Sequence, residues 1–259
     1  MFTQTELLTP IPTPNGNKHC DDWELNEYFY QHYWPDLTAT KTPIRFSGET
    51  ILSFKTSGGA LIRALENYLW GKGEPVHSPM PAYHDDRIRR VSQLFENHPT
   101  HFHNHTEEIA QLLAHMTIFR QRTHCLANFM PLPILSSPSL NQTKGKAPYH
   151  DFPDLFFKEI QRYYTQHNHS DPQCAWEQNQ SYFDLFANFD AFVETNYLKA
   201  YTEVQIAPDS QSIFWKLLRR PVNVIITDKN LNATLTQFNA LFQLASATIE
   251  ARASQLNEA

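Results

Sequence analysis

The sequence predicts a mainly α-helical protein: a single helical domain with at most a few short strands and an N-terminal proline-rich arm. Apolar residues recur at three- and four-residue spacing in several segments, which is typical of helices with one buried face. Only 7 of the 259 residues are glycine, and neither G-x-G-x-x-G nor G-x-x-x-x-G-K-[ST] occurs. Nucleotide-binding α/β folds are therefore disfavoured. A hydrophobic share of 41% with 13% aromatic residues is sufficient for a packed core.

Residues 1–22 have the composition of an arm. The run Pro10-Ile11-Pro12-Thr13-Pro14 is followed by Asn-Gly and further polar residues. Proline-rich segments favour extended backbone, so we expect this arm to be extended or mobile unless a partner surface holds it. Residues 23–259 are predicted to form the single helical domain, and its first element is a short aromatic helix ending at Trp34.

Residues 44–54 are ambiguous between strand and helix, because β-branched and aromatic residues favour a strand while Gly48 interrupts the pattern. Ser57 is a candidate N-cap for the next helix, and Gly71 is its expected end. A proline-rich connection follows. The apolar spacing over 88–95 then predicts another helix.

A better marked helix start follows, because Asn104 and Glu107 form a capping-box pattern. This helix is expected to end near Ala127, since Pro131 cannot continue it. Residues 128–150 are rich in proline, serine and asparagine and are predicted to form an irregular loop.

Three further segments are predicted to be helical. They cover residues 151–164, residues 182–198 and a shorter stretch at 213–218. Residues 222–226, which read Val-Asn-Val-Ile-Ile, fit either a lone strand or another short helix.

The C-terminal helix has the clearest pattern. Its apolar residues alternate at spacings of three and four: Leu231, Leu235, Phe238, Phe242, Ala245, Ile249 and Leu256. Arg252 is the one position that interrupts this seam. Fewer than four heptads, with a face widened by Leu241 and Leu244, favour packing inside a bundle. A dimeric coiled coil is the alternative, which would make this helix the interface of a homodimer.

Bulk properties exclude several classes of protein. No run of about 18 apolar residues is present, so we expect no membrane span. The first residues lack the basic and apolar regions of a secretory signal. Cys20, Cys125 and Cys174 are widely separated and form no C-x-x-C, which argues against a disulfide framework or a thiolate zinc site. These features favour a cytoplasmic location.

A cluster of histidines between residues 98 and 105 is the first candidate for chemistry. Neutral imidazoles are common ligands of divalent metals, and an extended H-x-H places both side chains on one face. We predict one divalent ion bound by His101, His103 and His105, with His84, Asp85 or Asp86 able to add a ligand. The alternative is a polar loop with solvated histidines before a capped helix.

The second candidate is a pair of segments, 123–133 and 140–146, dense in histidine, asparagine and lysine. The candidate catalytic residues of the whole chain are His103, His124, Asn128, Asn141 and Lys144. An asparagine amide can orient a catalytic histidine, and it can equally bind free carbonyls of a rigid loop. A lysine can bind phosphate. Two arginine groups, 87–90 and 120–122, are predicted to lie on solvated helix faces.

The segments Gly48-Glu49-Thr50-Ile51-Leu52-Ser53-Phe54 and His124-Cys125-Leu126-Ala127-Asn128-Phe129-Met130-Pro131-Leu132-Pro133 resemble a known pattern, together with Leu140-Asn141 and Asp151-Phe152. They are similar to an uncharacterised bacterial family of intracellular proteins that reads G-D-T-x-x-S-F and H-T-x-G-N-F-x-x-x-P. Glu49 replaces the aspartate and Ala127 the glycine of these motifs. The resemblance covers about residues 44–165 and implies no activity.

A fainter similarity links Ala127–Leu132, Asn141 and Lys144 to the G-N-L-x-x-L…N…K stretch of GmrSD-like HNH nucleases. This resemblance implies a histidine base, from His101, His103 or His105, activating water beside one divalent ion, and an asparagine orienting it. The D-H-I-x-P of those enzymes is absent.

Two functions follow from the sequence. The first is an uncharacterised cytoplasmic protein that acts through protein contacts, with no demonstrable catalytic site. The alternative is a divergent, divalent-metal-dependent HNH-like nuclease, the one case in which nucleic acid is the partner.

Overall fold

A computed structural model describes residues 2–11, 27–39, 45–52, 54–76, 78–81, 83–134, 157, 160–161, 163–165, 180–202 and 224–259. The fold is mainly α-helical, which confirms the predicted fold class. The helices are α1 (Gln4–Leu8), α2 (Glu27–Tyr33), α3 (Pro35–Ala39), α4 (Phe54–Gly71), α5 (His84–Asn97), α6 (Pro99–Phe102), α7 (Thr106–Thr123), α8 (Gln180–Phe183), α9 (Phe189–Thr195), α10 (Lys199–Thr202) and α11 (Leu231–Glu258). The strands are β1 (Arg45–Thr50) and β2 (Phe129–Ile134), and 3₁₀ turns cover His103–His105 and Leu126–Asn128.

The chain divides into two compact units. The first unit comprises Met1–Leu52, His124–Val204 and Thr248–Ala259, and the second comprises Ser53–Thr123 and Gln205–Ala247. The predicted division into an arm over residues 1–22 and one domain over residues 23–259 stays a prediction.

The first unit contains a two-stranded antiparallel sheet made by β1 and β2, in which Gly48 lies opposite Pro131. The ambiguous segment is thus a strand through Thr50, and the irregular loop predicted from residue 128 is wrong for residues 129–134. Prolines are tolerated here because alternate residues of a strand direct their backbone groups to the same edge. Pro131 directs its carbonyl to the Tyr182 hydroxyl, at 3.1 Å, and so away from β1.

The arm also begins differently from the expectation of an extended segment. Thr3 and Glu6 form a capping box for α1, and Leu7 is fully buried. Pro10 then forms an antiparallel bridge with Cys125. The prediction of an extended arm relied on the prolines from residue 10 onward. The helix and its buried Leu7 come before those prolines.

One predicted helix of the first unit is divided into two shorter ones, and another is described only in part. The segment 182–198 contains a break between α8 and α9, because the Asn188 side chain accepts a hydrogen bond from the Ala191 N–H at 2.8 Å and starts a new helix. Within the segment 151–164, the described residues 157, 160–161 and 163–164 are helical, and the others lie outside the described part. The segment 213–218 also lies outside it.

In the second unit, α4 and α5 run in the same direction. Phe54 contacts His84 near their starts, and Glu66 pairs with Arg90 further along. Helix α4 begins at Phe54 and includes Ser57, so the predicted N-cap is wrong, and it ends at Gly71 as predicted.

Two arginines of α5 hold the connection between these parallel helices. The Arg87 Nε donates to the Pro81 carbonyl at 2.9 Å, and the Arg90 guanidinium donates to the Val76 carbonyl at 2.7 Å and to Glu66. Arg87 is buried and the Arg90 side chain is 21% exposed, so the predicted solvated face is wrong for these two residues. The returning backbone needs donors for its carbonyls, and composition alone does not show that need.

Helix α7 is shifted at both ends from its prediction. The residues around Asn104 form a 3₁₀ turn, and α7 begins at Thr106, whose hydroxyl donates to the His103 carbonyl. It ends at Thr123 rather than near Ala127. Residues 224–226 have no regular structure, and 222–223 lie outside the described ranges.

The seam of α11 is buried as its periodicity indicates. Leu231, Leu235, Phe238, Phe242, Ala245, Ile249 and Leu256 are all buried within this chain. The apolar face is therefore used in packing within the chain, as the bundle alternative of the sequence prediction expects.

The glycines of α4 give a matched stability test. A Cβ at Gly58 would lie 2.7 Å from the Phe54 ring, which is itself buried against Phe119 and Phe242. Since this ring cannot move freely, Gly58→Ala is expected to lower the free energy of unfolding by about 1–3 kcal/mol. Urea unfolding measures it.

The control for this change is Gly71→Ala, because nothing lies within 4 Å of a Cβ there. Replacing this last residue of α4 should be neutral or stabilising by up to about 1 kcal/mol. Equal effects at both positions would show that the Phe54 contact does not limit residue 58.

Candidate functional site

Arg252 lies at the centre of the first unit and is fully buried. Its guanidinium donates four hydrogen bonds, all to backbone carbonyls. Nη1 reaches Ala127 and Phe129 at 2.7 Å each, Nη2 reaches Asn196 at 3.0 Å and Nε reaches Tyr197 at 3.0 Å. One side chain on α11 thus joins the segment that leads into β2 to the turn that follows α9.

The charge of Arg252 is compensated by dipoles. No carboxylate contacts it among the residues that the structure describes, and burial lowers the pKa of the guanidinium. Two of its acceptors, Asn196 and Tyr197, follow the C-terminal end of α9, where the helix dipole is negative. The Trp34 ring lies 5.9 Å from the guanidinium carbon and adds a cation–π contact. A planar, weakly hydrated group with five donors suits this position better than an ammonium would.

The turn that Arg252 binds has unusual backbone geometry. Tyr197 has φ of +53°, a left-handed conformation that glycine normally adopts at the end of a helix. The Leu198 N–H donates to Val193 and the Tyr197 N–H to Glu194, which together make a Schellman motif. The ring centroids of Tyr197 and Trp34 are 5.8 Å apart. This aromatic contact offsets the backbone strain of the left-handed conformation.

Asn128, a candidate catalytic residue, is also fully buried and extends the pairing next to the sheet. Its Oδ1 accepts from the Leu52 N–H at 3.0 Å and from the Tyr201 hydroxyl at 3.2 Å, and its Nδ2 donates to the Leu52 carbonyl at 2.7 Å. The backbone carbonyl of Asn128 accepts from Ile51 at 2.8 Å. Both the oxygen and the nitrogen of the amide are therefore engaged, and their three hydrogen bonds are with backbone or hydroxyl groups of the same unit.

Of the four other candidate catalytic residues, His103 and His124 lie within the described part of the chain. The carbonyl of His124 accepts from the Ile11 N–H at 2.7 Å, and its side chain is half-buried. Asn141 and Lys144 lie outside the described residues. His103 belongs to the second unit, whereas His124 and Asn128 belong to the first.

The structure does not bring the three histidines predicted to bind metal into one group. His101 Nε2 lies 3.4 Å from a Glu74 oxygen, and His103 Nδ1 instead lies 3.2 Å from the Thr100 carbonyl. His105 is half-buried. Over the described ranges, no three histidine, cysteine or acidic residues are arranged so that they could hold a metal ion. One divalent ion bound by His101, His103 and His105 stays a prediction.

The further ligands considered for that ion are used elsewhere. Asp85 pairs with Arg120 at 2.7 Å, and Asp86 pairs with Arg89 at 2.7 Å. These ion pairs also show that the arginines at 89 and 120 lie beside acidic residues of the second unit.

A polar cluster at the end of α4 joins Asp228 to two side chains of the same helical face. The Tyr68 hydroxyl donates to one Asp228 oxygen at 2.7 Å, and the Lys72 ammonium binds the other. The Lys72 and Tyr68 hydrogen bonds lower the pKa of Asp228 below its ordinary value of 3.8. Burial, followed by the bond to Asp228, raises the pKa of Tyr68 to about 12.

Asp228→Asn tests this cluster through its pH dependence. The lowered pKa means that the carboxylate stabilises the fold above pH 4, and that this contribution is lost as the pH falls through the native pKa. We expect a lower melting temperature than wild type at pH 7, with the two curves converging below pH 4. Lys229→Gln, in the same exposed turn, is the control and should follow wild type. A pH-independent difference would exclude the ion pair as the cause.

Sequence reasoning did not identify Arg252 as the organising residue. One signal was available: it is the only charged residue within an otherwise apolar seam. A buried charge needs partners, so its position alone indicated that acceptors from other segments would have to surround it. Tyr201, the third partner of Asn128, had no such signal.

The fold and this site define a helical protein whose central polar residues bind backbone. The chain belongs to the family of unknown function DUF6994, which matches residues 83–255. This confirms the expectation of an uncharacterised family. No curated protein matches the chain, and no solved structure does either. Within the described part, no helix combines the length and the apolar character needed to cross a bilayer.

Proposed function

We propose that this protein acts through protein contacts rather than through catalysis. The observation that carries the proposal is Trp70, whose side chain is 56% exposed near the end of α4. Among the residues of this helix whose burial the structure describes, nearly all others are buried, and Arg63, Asn67 and Trp70 form the exposed stripe. Tryptophan is enriched among the residues that dominate binding energy at protein interfaces. A solvent-exposed indole at the end of a rigid helix is suited to such a role.

The interior of the first unit supports the non-catalytic side of this proposal. An asparagine that orients a histidine base directs an amide hydrogen bond to the imidazole, whereas the hydrogen bonds described for the Asn128 amide go to Leu52 twice and to Tyr201 once. The donors of Arg252 are likewise bound to carbonyls. The nuclease alternative therefore draws no support from these two residues. We further propose a cytoplasmic location, which the sparse, widely separated cysteines of the sequence support.

Capture of partners from cells that naturally contain the chain tests the proposal. We expect wild type to retain a reproducible protein partner, and Trp70→Ala to retain at least about tenfold less, as for loss of a central interface residue. Arg63→Ala, on the same exposed stripe, is the matched control and should behave as wild type. All three proteins should have the same melting temperature.

Two results would contradict the proposal. One is equal capture by wild type and Trp70→Ala, with both folded. The other is cleavage of DNA or RNA by untagged protein with magnesium or manganese, lost in His103→Ala, since His103 is exposed and its removal should not disturb the fold. The second result would support the nuclease instead.

A further inference from the structure

The N-terminal residues Phe2–Ile11 lie along a surface of the first unit that is built from three distant parts of the chain. Phe2 sits among the rings of α2, with centroid distances of 5.5 Å to Tyr28 and 5.9 Å to Tyr33. The Gln4 amide donates to Ser254 at 3.0 Å. At the other end of the described segment, Ile11 donates to the carbonyl of His124, which precedes the 3₁₀ turn over residues 126–128.

These contacts combine two modes by which folded proteins recognise peptides. An aromatic and an aliphatic anchor, Phe2 and the fully buried Leu7, are separated by five residues around one helical turn. Backbone pairing of Pro10 and Ile11 with residues 124–125 then adds an extended end. Helix anchors in a groove and strand addition at an edge are both common in peptide recognition.

The regular part of this segment is short and has a single buried residue. Helix α1 has five residues, and Leu7 is the only one of them that is buried. A helix this short has little stability of its own, so its binding depends on the few anchors just described. Segments with few buried contacts open at a lower free energy than the rest of a fold.

We propose that Phe2–Ile11 is a releasable strap that covers a peptide-binding groove. The groove takes a partner segment with an aromatic residue, an aliphatic residue five positions later and an extended end. This inference rests on the proposed function, because it names a second surface and the kind of partner for protein contacts. The strap competes with that partner, since a tethered segment has an effective concentration in the millimolar range.

Binding of a synthetic peptide of residues 1–11 to the full chain tests the strap. In the variant Phe2→Ala/Leu7→Ala, the strap has lost both anchors while the groove is unchanged. We expect this variant to bind the labelled peptide saturably in fluorescence anisotropy, at least about tenfold more tightly than wild type does, because the intact strap competes. A peptide carrying the same two alanines is the control and should not bind.

A crosslink closes the strap in the full chain. Gln4→Cys/Ser254→Cys joins two residues whose side chains are in contact, and the oxidised protein should lose peptide binding that returns on reduction. A folded double-alanine variant without peptide binding would overturn the proposal. So would crosslinks that form chiefly between two chains, because they would assign the groove to a second copy.

Hydrogen exchange on wild type keeps the test decisive if the double-alanine variant fails to fold. The amides of Leu7 and Ile11 are expected to exchange at least about tenfold faster than that of Ile51. Equal rates would show that the strap opens only with the whole unit, which overturns the proposal. None of these measurements requires a cellular partner, so their outcome is independent of the Trp70 capture.

Discussion

Arg252→Met is expected to lower the free energy of unfolding by about 3–5 kcal/mol, the largest effect of any single change considered. Methionine keeps much of the side-chain volume but removes every donor. The carbonyls of Ala127, Phe129, Asn196 and Tyr197 would then be buried without the bonds that Arg252 supplies. Each unsatisfied buried acceptor is costly, and the total is limited by relaxation of the surrounding backbone. Urea unfolding followed by circular dichroism measures the change.

The matched control is Arg89→Met on α5, where the arginine side chain is 69% exposed and, within the described part of the chain, pairs with Asp86. Exposed ion pairs contribute little, so we expect a change below about 1 kcal/mol. If Arg252→Met were as stable as wild type, its four hydrogen bonds could not be what joins the segments of the first unit.

Asn128→Asp is expected to cost about 2–4 kcal/mol at pH 7, although the two side chains have the same shape. The new oxygen cannot donate to the Leu52 carbonyl, which the Asn128 amide nitrogen reaches at 2.7 Å. A fully buried carboxylate would also face that carbonyl oxygen, which it repels. Protonating the new carboxyl restores a donor, so the difference from wild type should narrow as the pH is lowered.

Asn232→Asp is the control for this change, because Asn232 is exposed in the first turn of α11. An acidic residue at that end of a helix is tolerated or mildly stabilising. A residue used only for catalysis behaves differently from our expectation for Asn128: its aspartate variant would keep wild-type stability and lose a measured activity. That outcome would contradict a structural role for Asn128.

The sequence predicted those elements whose signal is local. The periodicity of α11 places its seam residues correctly, and Gly71 marks the end of α4. The β2 strand was not predicted, because prolines such as Pro131 and Pro133 argue against a strand. They fit this one because their positions face an edge of the sheet at which no backbone N–H has to donate. The capping pattern at Asn104 predicts the wrong start for α7. A 3₁₀ turn over residues 103–105 precedes this helix, and a capping pattern does not distinguish such a turn from the first turn of an α-helix.

The candidate site was predicted only in part. The sequence indicates the segment 123–133 as a candidate site, and Asn128 as a residue that could tie down its backbone. The partners of Arg252 could not be predicted, because backbone carbonyls of residues such as Ala127 and Asn196 carry no side-chain signature. Long-range pairing of a side chain with backbone depends on the completed fold rather than on spacing along the chain.

The central claim is that Arg252 holds the first unit together through backbone carbonyls of separate segments. Hydrogen–deuterium exchange on wild type and Arg252→Met tests it most directly. We predict that the variant loses protection at least about tenfold in both bound segments, residues 126–134 and 193–198. Unchanged protection in both segments, in a folded Arg252→Met protein, would contradict the claim.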